Sequence, residues 1–385
     1  MSKKSLLSML FAGALCGQVF AIDDTPFKIS NTLRFGYDDN PYSVHNRDDS
    51  FFVEDIIDLA FRASLSDRTD LMLKAQLRAE VDEEDESLYP NFFGTLNHAF
   101  SSRLFVSLSE TFKTADRNGS ANIKKPNKKE RIDYWQNIIG LNADYVLNQK
   151  HQIGVNGTHV IERNDSKADV YDFTRYVAGA SWSYALKPQQ TRFTVMAQHV
   201  KVDYDEVHSK YNQEVLYGEL AHTFNPNWKG TVKGGLTYTD RDFAESDSTT
   251  DPLFGAGLIF SPSPKTSIDA SVDYQYEQTE NSSYGGRTAT TVRLGIDHEL
   301  TAKMRVKSNV RFVDSDYEKK DLDKNGLADG SGGEEHWYFN ARLSYKLNRT
   351  HSIETGYSYS QKDRDGVQNA DWRRHRVDVG WRVDL

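Results

Sequence analysis

The chain has 385 residues, 27% of them charged, with 47 Lys plus Arg against 56 Asp plus Glu and a formal net charge of −9. That acidic balance argues against a nucleic-acid partner, which calls for a basic excess to displace counterions. A single cysteine, Cys16, excludes disulfide frameworks and cysteine-ligated metal clusters, while 40 Phe plus Tyr on a polar chain point to strands with one wet face.

Residues 1–21 read as an export signal. Lys3 and Lys4 form a basic start, Leu6 to Leu15 an apolar stretch, and Val19-Phe20-Ala21 a small-residue cleavage site. Cleavage after Ala21 removes Cys16 and leaves a net charge of about −11. Lipidation of Cys16 is the poorer reading, because Gly13-Ala14-Leu15 matches a lipobox badly. Beyond Ala21 nothing approaches the roughly 20 consecutive apolar residues of a spanning helix, so a membrane-integral product has to be a closed barrel. Residues 22–385 are therefore expected to form one barrel domain.

Punctuation supports that expectation. Short polar turns recur at Ser66-Asp67-Arg68, Ser101-Ser102-Arg103, Asn148-Gln149-Lys150, Lys187-Pro188-Gln189, Asn225-Pro226-Asn227, Ser261-Pro262-Ser263-Pro264, Thr301-Ala302 and Asn348-Arg349-Thr350. Between consecutive turns there is room for two strands and one longer, charged loop. This is the asymmetry of short periplasmic turns and long outer loops. Strands are predicted near 27–37, 52–65, 70–81, 91–100, 103–113, 131–147, 151–162, 172–186, 191–204, 212–224, 228–240, 252–260, 266–277, 287–300, 303–314, 336–347, 351–362 and 373–385. The count is eighteen, with sixteen the other even total, in an all-β, transmembrane, antiparallel up-and-down barrel whose termini both face the periplasm.

Alternation inside the strands sets the faces. In 267–277, Ile268, Ala270, Val272, Tyr274 and Tyr276 oppose Ser267, Asp269, Ser271, Asp273, Gln275 and Glu277. The phase switches in 191–204, from Phe193, Val195 and Ala197 to Val200, Val202 and Tyr204, which predicts a bulge. Strands entering the short turns carry His98, Tyr145, Tyr184, His222, His298 and Tyr345 two residues before an apolar one. A side chain with an apolar body and a polar tip suits an interfacial girdle, so these histidines are read as interface residues, not ligands or bases.

The polar face of the later strands carries Arg293, Arg305, Lys307, Arg311, Arg342, Lys346, Arg376 and Arg382 against Asp269, Asp273, Asp297, Glu299, Glu354 and Asp378. Two uses fit such residues on a lumen wall: bracing through cross-strand pairs, or a track for carboxylate or phosphate groups. An eighteen-stranded lumen is too wide for side chains to fill, so a pore follows unless a loop plugs it. Among the acidic outer loops, Asp82-Glu83-Glu84-Asp85-Glu86 and the group Asp240, Asp242, Glu245 and Asp247 would draw divalent cations at a lipopolysaccharide surface or repel surface anions. Asp321, Asp323, Asn325 and Asp329 have calcium-loop spacing around Gly326, yet Gly332 stands where the bidentate Glu belongs, leaving Glu334 or Glu335 as substitutes. A solvated acidic turn is the competing reading. No other cofactor is expected.

Gly-x-Ser-x-Gly nucleophile elbows, His-Glu-x-x-His and phosphate-binding Gly-rich loops are missing; Gly179-Ala180-Ser181-Trp182-Ser183 falls inside a strand. No enzyme is expected on that basis. The closing Asp378-Val379-Gly380-Trp381-Arg382-Val383-Asp384-Leu385 resembles the terminal signal read by the outer-membrane assembly machinery, with Leu385 in place of the usual aromatic.

Gly36-Tyr37-Asp38-Asp39-Asn40 and Asp371-Trp372-Arg373-Arg374-His375-Arg376-Val377-Asp378-Val379-Gly380 together resemble the putative β-barrel porin 2 family. The two stretches are short, and the hairpin repeat between them is shared by many barrels. The resemblance implies an outer-membrane barrel associated with exopolysaccharide biosynthesis and export, with lipids, lipopolysaccharide, a polysaccharide substrate and a periplasmic export protein as partners. It brings no catalytic residues. Three functions stay open: a channel secreting an exopolysaccharide or other charged saccharide, a general or oligosaccharide-uptake porin, and a plugged barrel with a structural or enzymatic role.

Overall fold

The computed structural model describes residues 26–41, 43, 49–83, 86–118, 131–164, 172–205, 210–242, 247–277, 284–319, 333–365 and 371–385. They form β1 (Phe27–Asp38), β2 (Ser50–Ser66), β3 (Thr69–Val81), β4 (Glu86–Ala99), β5 (Leu104–Asn118), β6 (Arg131–Val146), β7 (His151–Asn164), β8 (Phe173–Lys187) and β9 (Thr191–Tyr204). The second half adds β10 (Lys210–Asn225), β11 (Trp228–Asp242), β12 (Asp247–Ser263), β13 (Thr266–Glu277), β14 (Tyr284–Glu299), β15 (Met304–Lys319), β16 (Gly333–Lys346), β17 (His351–Arg364) and β18 (Trp372–Asp384). Each strand pairs antiparallel with its sequence neighbours, and β1 pairs with β18 as well as β2. The sheet closes on itself and leaves no edge whose N–H and C=O groups would meet hydrocarbon unpaired.

All eighteen predicted strands are present. Most run further toward the long loops than expected: β4 starts at Glu86, β12 at Asp247, and β15 continues to Lys319. A tilted crossing needs only about 9 to 11 residues. Strands of up to 17 residues carry extra length that can stand beyond the hydrocarbon. The turn expected at Ser261–Pro264 is tighter, since β12 runs to Ser263 with a register shift after Phe260.

The predicted bulge in 191–204 is absent. Register runs unbroken from Thr191 to Asp203 against β10, and the shift in this hairpin lies in β8 between Ala185 and Lys187. What switches along β9 is which face is apolar. Phe193 and Val195 point outward, whereas Val200, Val202 and Tyr204 point inward and pack with Val160, Phe173 and Tyr211. An apolar cluster inside the wall breaks the period without breaking the ladder.

Elsewhere the convex face is mostly apolar and bare, with a few polar residues such as Glu110 and the His199–Glu214 pair. Val155, Leu216 and Leu236 each leave more than half of their surface uncovered by protein, a waste that makes sense where hydrocarbon covers them. At the short-turn end, histidines repeat one arrangement. His98, His222 and His298 each place Nδ1 2.8 Å from the hydroxyl of Thr69, Thr191 or Thr266 on the adjoining strand. His98 and His222 also meet Phe100 and Phe224 edge-on at 4.4 and 4.6 Å. Tyr184 packs against His151 at 4.9 Å. Tyr145 and Tyr345 occupy the same outward face of their strands, opposite Ile153 and Met304.

Candidate functional site

The inner wall divides into two sectors. On β4–β12, inward positions such as Ser107, Asn142, Asn156, Ser181, Gln198 and Thr231 mostly present hydroxyl and amide groups, with scattered charges such as Asp144, Glu162, Arg192 and Lys233 among them. From β13 through β18 and on into β1–β3, charge is denser among these positions, as at Asp273, Arg293, Arg311, Arg342, Asp378 and Arg34.

The densest charge surrounds the closing seam. Arg342 forks onto Asp378 at 2.9 and 3.0 Å and reaches Glu354 at 3.4 Å. Arg34 donates to Glu54 at 3.0 Å and to Glu354 at 3.4 Å. Arg376 holds Glu80 at 3.1 Å and lies over the Phe52 ring at 3.6 Å. Arg374 clasps Asp38 at 2.5 Å. Each carboxylate is shared or forked, so removal of one cation leaves an acid under-compensated in a wall it cannot leave. A cavity of about 620 Å³ opens beside this lattice, reached by Arg34, Arg78, Tyr338, Asn340, Ser358 and Trp372.

The two stretches that carried the family resemblance meet here. Gly36 pairs with Asp378, Tyr37 with Val377 and Asp38 with Arg376. Asn40 donates from its amide to the Arg373 carbonyl at 2.8 Å, and Asp39 accepts from the His375 N–H at 2.6 Å. Gly36 is required by space: a Cβ there would run into the Phe52 ring and the Val377 carbonyl. Both stretches thus serve the joint that makes the sheet a barrel.

The predicted lumen residues all lie on the polar face. Arg305 forks onto Asp297 at 2.6 Å, and Lys307 reaches the same carboxylate at 3.7 Å. Arg293 meets Asp273 at 3.4 Å, while that acid also holds Lys233 at 2.8 Å. Asp269 sits beside Gly295, close enough to exclude a side chain there. Arg382 pairs with Asp384 at 2.9 Å. Arg311 and Lys346 have no carboxylate partner among the described residues; Arg311 lies 5.7 Å from the Tyr338 ring centroid. Sequence reading overlooked Arg34, Glu54, Arg78 and Glu80, whose alternation is as plain as that of the later strands but whose neighbours come from the other end of the chain.

The proposed calcium ligands Asp321, Asp323, Asn325 and Asp329 lie outside the described residues. Glu334, offered as a substitute ligand, is engaged by Arg364 and by Lys362 at 3.0 Å. Among the described residues no group of three or more His, Cys, Asp or Glu side chains could hold a metal ion.

A closed antiparallel sheet of eighteen strands, apolar outside and charged within, defines an outer-membrane β-barrel of the porin type. The family described as Putative beta-barrel porin 2 matches residues 27–385, and the chain belongs to it. Porins are transport barrels rather than enzymes. No curated protein matches the chain. Among solved structures, it is similar to Pseudomonas aeruginosa OccK2 (OpdF) in complex with glucuronate, at TM-score 0.51 and 11% identity over 93% of this chain and 98% of that one. It is also similar to the Pseudomonas aeruginosa ferric enterobactin receptor PfeA, at TM-score 0.50 and 7% identity over 94% and 81%. At such identities the likeness concerns the fold alone.

Proposed function

We propose that this barrel is an outer-membrane channel that carries an exopolysaccharide or another charged saccharide outward, with both termini in the periplasm and a periplasmic export protein delivering the polymer. The observation that carries the reading is the two-sector inner wall. Hydroxyl and amide groups on β4–β12 can exchange hydrogen bonds with sugar hydroxyls as readily as water does. The opposite sector offers charge, most of it held in pairs that brace the wall. Membership of a porin family makes transport, and not hydrolysis, the chemistry proposed. The saccharide comes from the family resemblance, and the outward direction comes with it.

Planar-bilayer recording of the purified barrel, together with secreted polymer measured in a deletion strain, tests this. Conductance and loss of polymer on deletion are expected. A sealed barrel with undiminished polymer would end the proposal, and conductance coupled to slower growth on one saccharide would replace it with an uptake porin.

A further inference from the structure

Most cations of the inner wall are answered by a carboxylate. The column shared by β14 and β15 departs from this. Arg293 and Arg311 are direct cross-strand partners on the inner face. Like charges placed directly opposite each other destabilise a sheet, so the pair needs compensation. The wall supplies little. Arg293 has Asp273 at 3.4 Å, but that acid also serves Lys233 at 2.8 Å. Arg311 has the Tyr338 ring and no carboxylate among the described residues. Nearer the short turns, Arg305 and Lys307 likewise share the carboxylate of Asp297, with Glu299 opposite Arg305.

Both guanidiniums remain open to the lumen; the Arg293 side chain is 51% exposed and Arg311 falls in the exposed class. Around them stand groups that suit sugar hydroxyls. Ser271 is the partner of Arg293, Tyr338 of Arg311, and Asn309 faces Asn340 beside them. Tyr338 and Asn340 also border the cavity at the seam, so the pair sits at the edge of a space with room for saccharide units.

We infer that Arg293 and Arg311 form an oxyanion subsite in the lumen, where Arg311 offers an uncommitted fork and Arg293 a second positive charge on the neighbouring strand to the carboxylate, sulfate or phosphate groups of an acidic saccharide. It deepens, and rests on, the saccharide channel proposed above. The pair differs from the seam lattice in what it lacks: Arg342 has committed its fork to Asp378, whereas Arg311 can accept an anion without first giving one up. Exposure to water keeps such binding weak enough to release, which a conducting wall requires.

The test uses the mature barrel, wild type and Arg293→Gln/Arg311→Gln, in planar bilayers and, separately, by calorimetric titration in detergent. A galacturonate hexamer is the probe, with maltohexaose and inorganic sulfate as comparisons. Wild type is expected to bind the hexamer and show current interruptions. The double variant should lose affinity roughly ten-fold or more, the equivalent of one or two charged hydrogen bonds. Maltohexaose should bind alike to both proteins and more weakly than the hexamer does to wild type. Equal hexamer affinity in the two proteins would overturn the subsite, as would equal affinity of wild type for the neutral sugar. Sulfate binding as tightly as the hexamer would reduce the site to one for inorganic anions and overturn its saccharide part. A barrel that passes no current yet binds the hexamer through these arginines would overturn the channel and leave the subsite standing. Heat-modifiable migration checks that the variant is folded, and Arg311→Gln alone, which breaks no ion pair, repeats the titration if the double variant is not.

Discussion

Leu141 and Asn142 are consecutive residues on β6 that face opposite solvents, which makes them a sharp test of the wall. Leu141 points outward between Leu108 and Gly157 and leaves 50% of its surface uncovered. It stands five residues from the end of the strand at Val146, roughly 12 Å above the short-turn end for a rise of ~3.3 Å tilted by ~40°. That is close to the middle of an apolar band about 25 Å tall. Leu141→Arg there should cost ~2–4 kcal/mol for the charge. The leucine's own contact with hydrocarbon adds about 1 kcal/mol, half of the transfer of a fully buried side chain. A total of roughly 3–5 kcal/mol lowers the folding equilibrium more than a hundred-fold. Asn142 points inward between Ser107 and Asn156 and is exposed to the lumen, so Asn142→Arg should stay within about 0.5 kcal/mol of wild type. Reversible unfolding in urea with lipid vesicles, followed by tryptophan emission, reads both. Equal costs at the two positions would refute the assignment of faces, and a larger cost at Asn142 would invert it.

At the seam, Gly36→Val should block closure by overpacking, at a cost of about 1–3 kcal/mol or more, while Gly234→Val, where an added Cβ meets nothing within 4 Å, should be neutral. Heat-modifiable migration after refolding compares them, and an intact Gly36→Val barrel would contradict the close approach of Phe52. Converting Thr69, Thr191 and Thr266 together to Val removes the hydroxyl beside His98, His222 and His298 and should cost ~0.5–1.5 kcal/mol per site. An unchanged urea midpoint would show those hydroxyls to be idle. Arg342→Met leaves Asp378 and Glu354 to Arg34 alone. A fully buried pair would lose ~3–5 kcal/mol on such a change, and partial exposure of Arg342 brings the expectation to about 1–3 kcal/mol. The freed acids should also shift the reversal potential toward cations; a shift toward anions would contradict the pairing.

Period-two alternation is a local signal, and it made all eighteen strands legible because each strand meets two solvents across its membrane-spanning part; beyond the hydrocarbon that contrast fades, and β4, β12 and β15 run longer than predicted. It misled on β9, where the inner face turns apolar at Val200, Val202 and Tyr204 and imitates the phase change of a bulge. Tertiary packing on the lumen side had no counterpart in the pattern. The spacing singled out His98, His222 and His298, but their threonine partners lie 29 to 32 residues away and emerge only from the register of neighbouring strands. The charged sector was half visible for the same reason. Arg342 and Arg376 stood out in the later strands, whereas Arg34 and Glu80 join them only through the pairing of β1 with β18.

Closure also decides which charges can handle a solute. A seam between the first and last strands is the final joint of the barrel, and the lattice across it commits Arg34, Arg342, Arg374 and Arg376 to carboxylates on both sides. Groups so committed would have to break ion pairs before touching a passing anion, and each broken pair would leave an acid in the same wall repelling it. They are better suited to hold the joint than to serve traffic. Arg293 and Arg311 lie three and more strands from that joint, on a hairpin whose pairing is secured by its own short turn, where surplus positive charge threatens no closure. At the seam an inward-facing arginine is committed to bracing, whereas the subsite proposed for Arg293 and Arg311 draws on charge that closure of the barrel does not depend on.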